Sequence, residues 1–439
     1  NTAIGYNALK GGAVTSHVQY NVAIGGSNLY QITSGVNNVA IGGNSVLSAL
    51  TSGASNVAIS RGAGQSITTT SQCIIIGADA ANLLNGTGPN GTIAIGHLAL
   101  ATHTDGVRNI AIGWEAMHDT NAGSTSQGSN DNVFIGYAAA GGVWANAESN
   151  GNVGIGSYVM DSALDGALYN TAVGAYALSA ITQADSVVAI GNSAAYSLTT
   201  ASNNVAIGTN AMKVHTTGER NMAIGTNAMD DTDAGSTSLG SADNVFIGHN
   251  AGGGTWANAA STHNVAIGNN TMDAALNGAT HNTAVGYDTL TELTEGDANT
   301  VIGYQSGDSI TTSGYNSILG YQAAAALTGG GTNVAIGYQP LYYGTGNSYV
   351  VAIGSRAGYN STADYNVYIG NSAGRESQIG AGQVYIGNSA GYYASGSYNT
   401  FMGHNAGKGG TTTAPFSTGN SNVAVGYGAH DAFTSAEHN

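Results

Sequence analysis

A block of three strand-forming positions recurs along the whole chain, closed each time by glycine and opened by a polar residue. The motif is Asn-[Val/Thr]-Ala-Ile-Gly, running from Asn1 to Gly5, Asn21 to Gly25 and Asn38 to Gly42 through to Asn422 to Gly426. It occurs 24 times if Ser60 is accepted in place of one glycine, and successive closures lie 16 to 23 residues apart, most often 17. The residue before the glycine is Ile in 19 copies and otherwise Val, Leu or Met. Two places earlier sits Val, Ile or Thr in nearly every copy, and Ala stands between them in 15. Period-2 patterning on β-branched residues predicts a short strand, and the glycine permits the sharp bend that ends it.

Self-similarity at this period predicts a solenoid in which each repeat is one coil. Asn leads 19 of the 24 copies. Stacked asparagines can bond along the axis as a ladder, and Asn21, Asn38, Asn204, Asn221 and Asn333 are its expected rungs. The fold class read from this pattern is all-β: a parallel β-solenoid of about 24 coils. Residues 1–439 read as one continuous array carrying an internal duplication, because 117–178 aligns on 229–290 without gaps at 40 of 62 identical positions. The first residue and the last cut the array at the same phase, from which the parent protein is expected to continue in both directions.

A trade in volume links two columns. Eight copies carry a middle residue larger than alanine, among them Phe134, Phe246, Tyr368, Tyr385 and Phe401. Six residues later all eight have Ala or Gly, as at Ala140, Gly252, Gly374, Gly391 and Gly407. Where the middle residue is small, that later position is usually large, as at Leu9, Leu100, Met117 and Leu341. Close packing demands such compensation, so the two columns are expected to share a pocket. The residues before the glycine, such as Ile4, Ile24, Ile41, Ile112, Ile207 and Ile336, are assigned to the coil's own core. The alanine side is then buried by a second layer, which a solitary solenoid supplies by folding the coil's other side over and a homotrimer supplies between subunits; the trimer is the favoured expectation.

Composition narrows the function. Charged residues are only 7% of the chain, Gly numbers 68 and Pro 3. The formal charge of −16, from 24 acidic and 8 basic residues, opposes binding to nucleic-acid phosphates. No apolar run approaches the ~20 residues that span a bilayer, so no membrane insertion is expected in this segment. The single cysteine, Cys73, excludes an intrachain disulfide framework and a cysteine-based zinc cluster.

The motif resembles the head repeats of trimeric autotransporter adhesins and, more closely, the repeats of phage tail fibres and related bacterial surface proteins. The run Asn1-Thr2-Ala3-Ile4-Gly5-Tyr6-Asn7-Ala8-Leu9 and its counterpart from Asn282 to Leu290 carry that likeness, which extends over essentially the whole chain. It implies a left-handed parallel β-roll, a homotrimeric fibre, an extracellular place on a virion or cell surface, and attachment to a host cell or surface through a glycan or protein.

Candidate chemistry is sparse. The histidines, including His97, His249 and His404, form no His-x-His pair. The run Asp230-Asp231-Thr232-Asp233 offers fragments of a calcium loop without its distal glutamate, so calcium is the minor alternative to no cofactor. No catalytic set stands out, and the chain reads as a structural and adhesive protein rather than an enzyme. Alternatives are a self-assembling matrix filament without a dedicated receptor and, as a minor reading, a fibre-borne glycan hydrolase. Coils lengthened after Gly113, Gly225 and Gly403 are candidate recognition loops. Trp144 and Trp256, in equivalent Trp-Ala-Asn-Ala segments, and the column Tyr287, Tyr304, Tyr321 and Tyr338 are candidate glycan contacts, with structural packing the competing role for each.

Overall fold

The computed structural model describes residues 1–11, 17–85, 90–120, 128–144, 147–232, 240–256, 259–410 and 418–431. Two compact units divide the chain, Asn1–Arg220 and Asn221–Asn439. Both are all-β solenoids built by the same rule. The first carries β1 (Thr2–Ile4) to β12 (Val205–Ile207), the second β13 (Met222–Ile224) to β24 (Val423–Val425). Within each unit every strand pairs in parallel with the next in sequence, like residue on like residue, as Val22, Ala23 and Ile24 lie on Val39, Ala40 and Ile41. Among the described residues no helix is long and apolar enough to cross a membrane.

The strands are mostly three residues long because the following glycine turns the chain out of the β region. At Gly354 φ is +135°, and a Cβ there would meet the carbonyl oxygen of Gly370 in the next coil at 2.5 Å. A side chain at that corner is therefore excluded twice, by backbone strain and by the neighbouring coil. Ser60 is the one non-glycine in the column and carries φ +104°. After the corner the chain passes through left-handed positions that are not glycine, such as Gln322 (φ 49°), Ala324 (φ 50°) and Thr332 (φ 63°) in a single coil. Such residues cost roughly 1 kcal/mol or more each. Inter-coil hydrogen bonds hold them there. The Gln322 N–H donates back to Tyr304 O at 2.8 Å and the Ala324 N–H forward to Pro340 O at 2.9 Å.

The interior differs from the expected one in which face is inside. The middle residue of every strand from β2 to β24 is buried and the residues flanking it face outward, whereas all three residues of β1, which pairs with β2 alone, are exposed. Ala23, Ala40, Ala206 and Ala335 have no exposed surface, whereas Ile24, Ile41, Ile112, Ile207 and Ile336 are half-buried and Ile4 is 59% exposed. The isoleucine column is thus not the coil's core, and the alanine column needs no second subunit to cover it. The reason is the width of the coil. A 17-residue loop encloses little space, and alanine on the strand leaves room for Leu, Met or Ile from the opposite wall.

That opposite wall is where the volume trade is resolved. A Cβ on Gly252 would stand 2.6 Å from Cδ1 of Phe246, and one on Gly307 would stand 3.3 Å from Cγ1 of Val301. Leu29, Leu47, Leu100, Met117, Met229 and Leu341 fill the same place, fully buried, where the strand residue is alanine. The two columns share one pocket, as the sequence predicts.

The asparagine ladder runs beside this core. Asn21, Asn38, Asn204, Asn221 and Asn333 are all buried. Each rung binds in two directions. Asn38 Nδ2 donates to Asn21 Oδ1 at 3.0 Å and to Gly53 O at 2.9 Å, while the Asn38 backbone N–H donates to Asn21 Oδ1 at 2.9 Å. The pattern repeats from Asn244 through Asn264, Asn282, Asn299 and Asn316 to Asn333. Where the column holds Val350, its backbone N–H still donates to Asn333 Oδ1 at 3.0 Å.

Replacing one rung, Asn264→Ala, strands the Asn282 backbone N–H and the Ala279 carbonyl, which Asn264 now satisfies at 3.1 and 2.8 Å. Buried unsatisfied groups cost about 1–3 kcal/mol each, so urea denaturation is expected to show a loss of at least ~2 kcal/mol. An unchanged midpoint would mean that the ladder contributes nothing net.

His103 supplies a pH dependence. It is fully buried, bonded through Nδ1 to Thr120 Oγ1 at 3.0 Å and through Nε2 to Asn109 Nδ2 at 3.3 Å. An amide nitrogen can only donate, so Nε2 accepts and Nδ1–H donates to the threonine. Burial pushes its pKa down to about 4. The unfolded chain takes up a proton there below its ordinary value near 6.5, the folded chain only below about 4. Stability from this group is therefore complete above pH 6.5 and lost as pH falls towards 4, by on the order of 3 kcal/mol. His103→Leu, which copies Leu84 in the same place one coil earlier, is expected to flatten that part of the urea-midpoint profile between pH 7.5 and 4.5, whatever its effect on absolute stability.

Candidate recognition surface

The tryptophans do not offer a sugar platform. Trp144 and Trp256 have no exposed surface. Each packs edge-on against the large strand residue of its own coil, Trp144 on Phe134 at 6.1 Å between ring centroids and Trp256 on Phe246 at 5.6 Å. The duplication repeats this pair in both units, and the indole fills the interior position taken by Ile67 or Leu84 elsewhere. The expectation that they contact a glycan is corrected to a packing role. Most of each long insertion, residues 121–127, 233–239 and 411–417, lies outside the described residues, as does Asp233 of the acidic run. Among the described residues no group of three His, Cys, Asp or Glu side chains is placed to hold a metal ion.

The tyrosine column is brought together as predicted. In Asn221–Asn439, Tyr287, Tyr304, Tyr321 and Tyr338 stack face to face at 5.6, 5.2 and 5.4 Å, within 9° of parallel, each 42–45% exposed. Five-residue strands, Ser317–Tyr321 and Val334–Tyr338, carry two of these rings in register. Stacking of this kind fixes each ring against rotation and leaves its edge and hydroxyl outward.

Beside the tyrosines runs a polar ladder, one residue further along each coil. Gln305 Nε2 donates to Asp288 Oδ2 at 3.4 Å, Gln322 Nε2 to Gln305 Oε1 at 2.9 Å, Gln339 Nε2 to Gln322 Oε1 at 2.8 Å, and Arg356 Nε to Gln339 Oε1 at 3.3 Å. Charges at the two ends fix its direction. Asp288 only accepts and Arg356 only donates, so every amide N–H points towards the aspartate and every carbonyl towards the arginine. Asn270 Nδ2 approaches Asp288 from the other side at 3.1 Å.

Further along the same unit, cations and rings interleave. The Arg356 guanidinium lies 5.7 Å from the Tyr338 ring and 5.8 Å from Tyr359; Arg375 lies 5.6 Å from both Tyr359 and Tyr392. Arg375 Nη1 donates to Tyr392 Oη at 2.8 Å. Tyr342 stacks on Tyr359 at 5.2 Å. Burial pushes the Tyr359 and Tyr392 hydroxyls above their ordinary pKa, so both are neutral donors at physiological pH. In Asn1–Arg220 a recess of about 370 Å³ is lined by Tyr176, Ser193, Tyr196 and Lys213.

The amide ladder and the arginine–tyrosine stack escape sequence reasoning keyed to the residue right after the glycine. A signal was present: Gln305, Gln322, Gln339 and Arg356 recur at the uniform period of 17. No protein-family model matches this chain, and no curated protein matches it significantly.

Proposed function

We propose that this chain is the shaft of a homotrimeric extracellular fibre with an adhesive role, of the kind borne by phage tails or bacterial surfaces, gripping a host-surface glycan by repeated weak contacts. The stacked tyrosine column carries this reading. It presents an aromatic edge and a hydroxyl on each of four successive coils, at a spacing close to the length of one sugar residue in an extended chain. A polysaccharide lying along the axis meets one phenol per residue, and many weak contacts sum to a large avidity. The proposed work is mechanical and adhesive, with no catalytic step.

Self-association rests on a different observation. The outward strand face is a double column mostly of Val and Ile, with Thr next most frequent and no charged residue at any flanking strand position in either unit. Twelve strands give each unit 24 such flanking positions, within the roughly 20–30 residues that one side of a standard interface uses. The same face also suits the second reading, a matrix filament that assembles without a receptor.

Light scattering is expected to return three times the mass of the chain. Ile302→Asp, an outward position, is expected to leave the circular dichroism unchanged and release single chains. A wild-type monomer would remove the trimer. For adhesion, retention on immobilised neutral polysaccharide is expected to fall at least tenfold in Tyr304→Ala/Tyr321→Ala, which opens the middle of the column. Equal retention would leave only the filament.

A further inference from the structure

We propose that Arg356, at the end of the tyrosine column, is a carboxylate-reading subsite that selects acidic saccharides of the uronic-acid type. This rests on the reading that the column contacts saccharide and adds a preference which that reading does not contain.

Its charge is the first ground. Among the described residues Arg61, Arg108, Arg220 and Arg375 each have a carboxylate within 4.0 Å, at Asp79, Asp131, Glu219 and Glu376. Arg356 has none. Its partner is a neutral amide, Gln339 Oε1, which takes only the Nε–H. Neither terminal Nη nitrogen has an acceptor among the described residues. Of the two guanidinium edges that match a carboxylate in parallel hydrogen bonds, the one formed by the two terminal nitrogens is thus left open.

Orientation is the second ground. A lone surface arginine samples many rotamers, and ordering it on binding costs free energy. Here the amide ladder from Asp288 delivers a carbonyl to Nε, and its polarity cannot reverse because Asp288 has no proton to give. Rings stand near the guanidinium at Tyr338 and Tyr359. The donor fork is preorganised before any ligand arrives.

Placement is the third ground. Tyr338 ends the stacked run, because the next coil has Ser355 in that column. A saccharide chain lying along the tyrosines therefore reaches Arg356 as it leaves the last ring. In a protein of net charge −16, an unpaired cation beside a sugar-length aromatic edge discriminates between neutral and acidic chains. A neutral sugar gains only the phenols; a uronate gains the charged pair as well, in a form that salt weakens.

Calorimetric titration separates the two readings. The probes are oligogalacturonate, its methyl ester, in which the charge is removed, and sulfated dextran. The wild type is expected to bind oligogalacturonate at least tenfold more tightly than the ester at low salt, the difference shrinking as salt rises. Arg356→Gln, which continues the amide ladder by one rung, is expected to keep the circular dichroism and the ester affinity and to bring the acid down to the ester. Arg356→Lys keeps the charge and loses the fork, and is expected to fall between. Equal binding of acid and ester by the wild type, or an acid preference that survives Arg356→Gln, overturns the subsite and leaves the tyrosine column standing. Sulfated dextran binding more tightly than oligogalacturonate overturns the carboxylate assignment. Failure of all three probes removes both readings.

Discussion

Hydrogen bonding along the coil axis is the interaction on which this molecule depends. Three-residue strands cannot hold a chain in place, and each coil contains left-handed residues that it would not adopt alone. The backbone bonds from Gln322 to Tyr304 and from Ala324 to Pro340 hold those residues from both sides. The buried asparagines do the same for the corner that leads into each strand. A coil without neighbours loses its ladder, its turns and its core together, so stability belongs to the stack rather than to the repeat.

In-register stacking also explains a composition that otherwise looks strange. Any residue repeated in one column meets its own kind about 4.8 Å away. Neutral amides, hydroxyls and rings benefit from that distance, as the glutamine run and the tyrosine run do, and as Thr311, Thr328 and Thr345 do by bonding hydroxyl to carbonyl in sequence. Like charges do not, since repulsion at such spacing accumulates along the column. Opposite signs fall on adjacent coils at Arg61 and Asp79 and at Arg108 and Asp131; where Glu292 stands beside Asp308, burial and the like charge push the Asp308 carboxyl up. The low charge content follows from the geometry of the stack. Arg356 has no carboxylate beside it, the acid of its ladder, Asp288, lying at the far end, which is why it stands out as a place for a ligand.

The interior tolerates large changes because it conserves volume per coil rather than identity per site. Tyr368 and Tyr385 replace the strand alanine and keep their hydroxyls bonded to Gln383 Oε1 at 2.8 Å and to Ala394 O at 3.5 Å. Phe134 and Phe246 recruit a tryptophan from the far wall. Outward columns are free of this constraint and can vary with recognition.

Repetition made the coil, the ladder and the shared pocket legible in the residues themselves. A column that recurs every 17 residues must stack on itself, so Asn on Asn, Tyr287 on Tyr304 and Phe246 against Gly252 follow from spacing alone. Periodicity of two says that alternate strand residues face opposite ways; it does not say which way is in. Hydrophobicity favoured isoleucine for the interior, and the structure put alanine there, because the pocket shared by the strand residue and the residue six places later holds only one large side chain, and in most coils the opposite wall provides it. For Trp144 and Trp256 the residues alone leave glycan contact and packing both open, and burial beside the large strand residue of the same coil decides for packing. The polarity of the glutamine ladder and the open edge of Arg356 depend on which atoms of neighbouring coils meet, a relation that exists only once the chain has closed on itself.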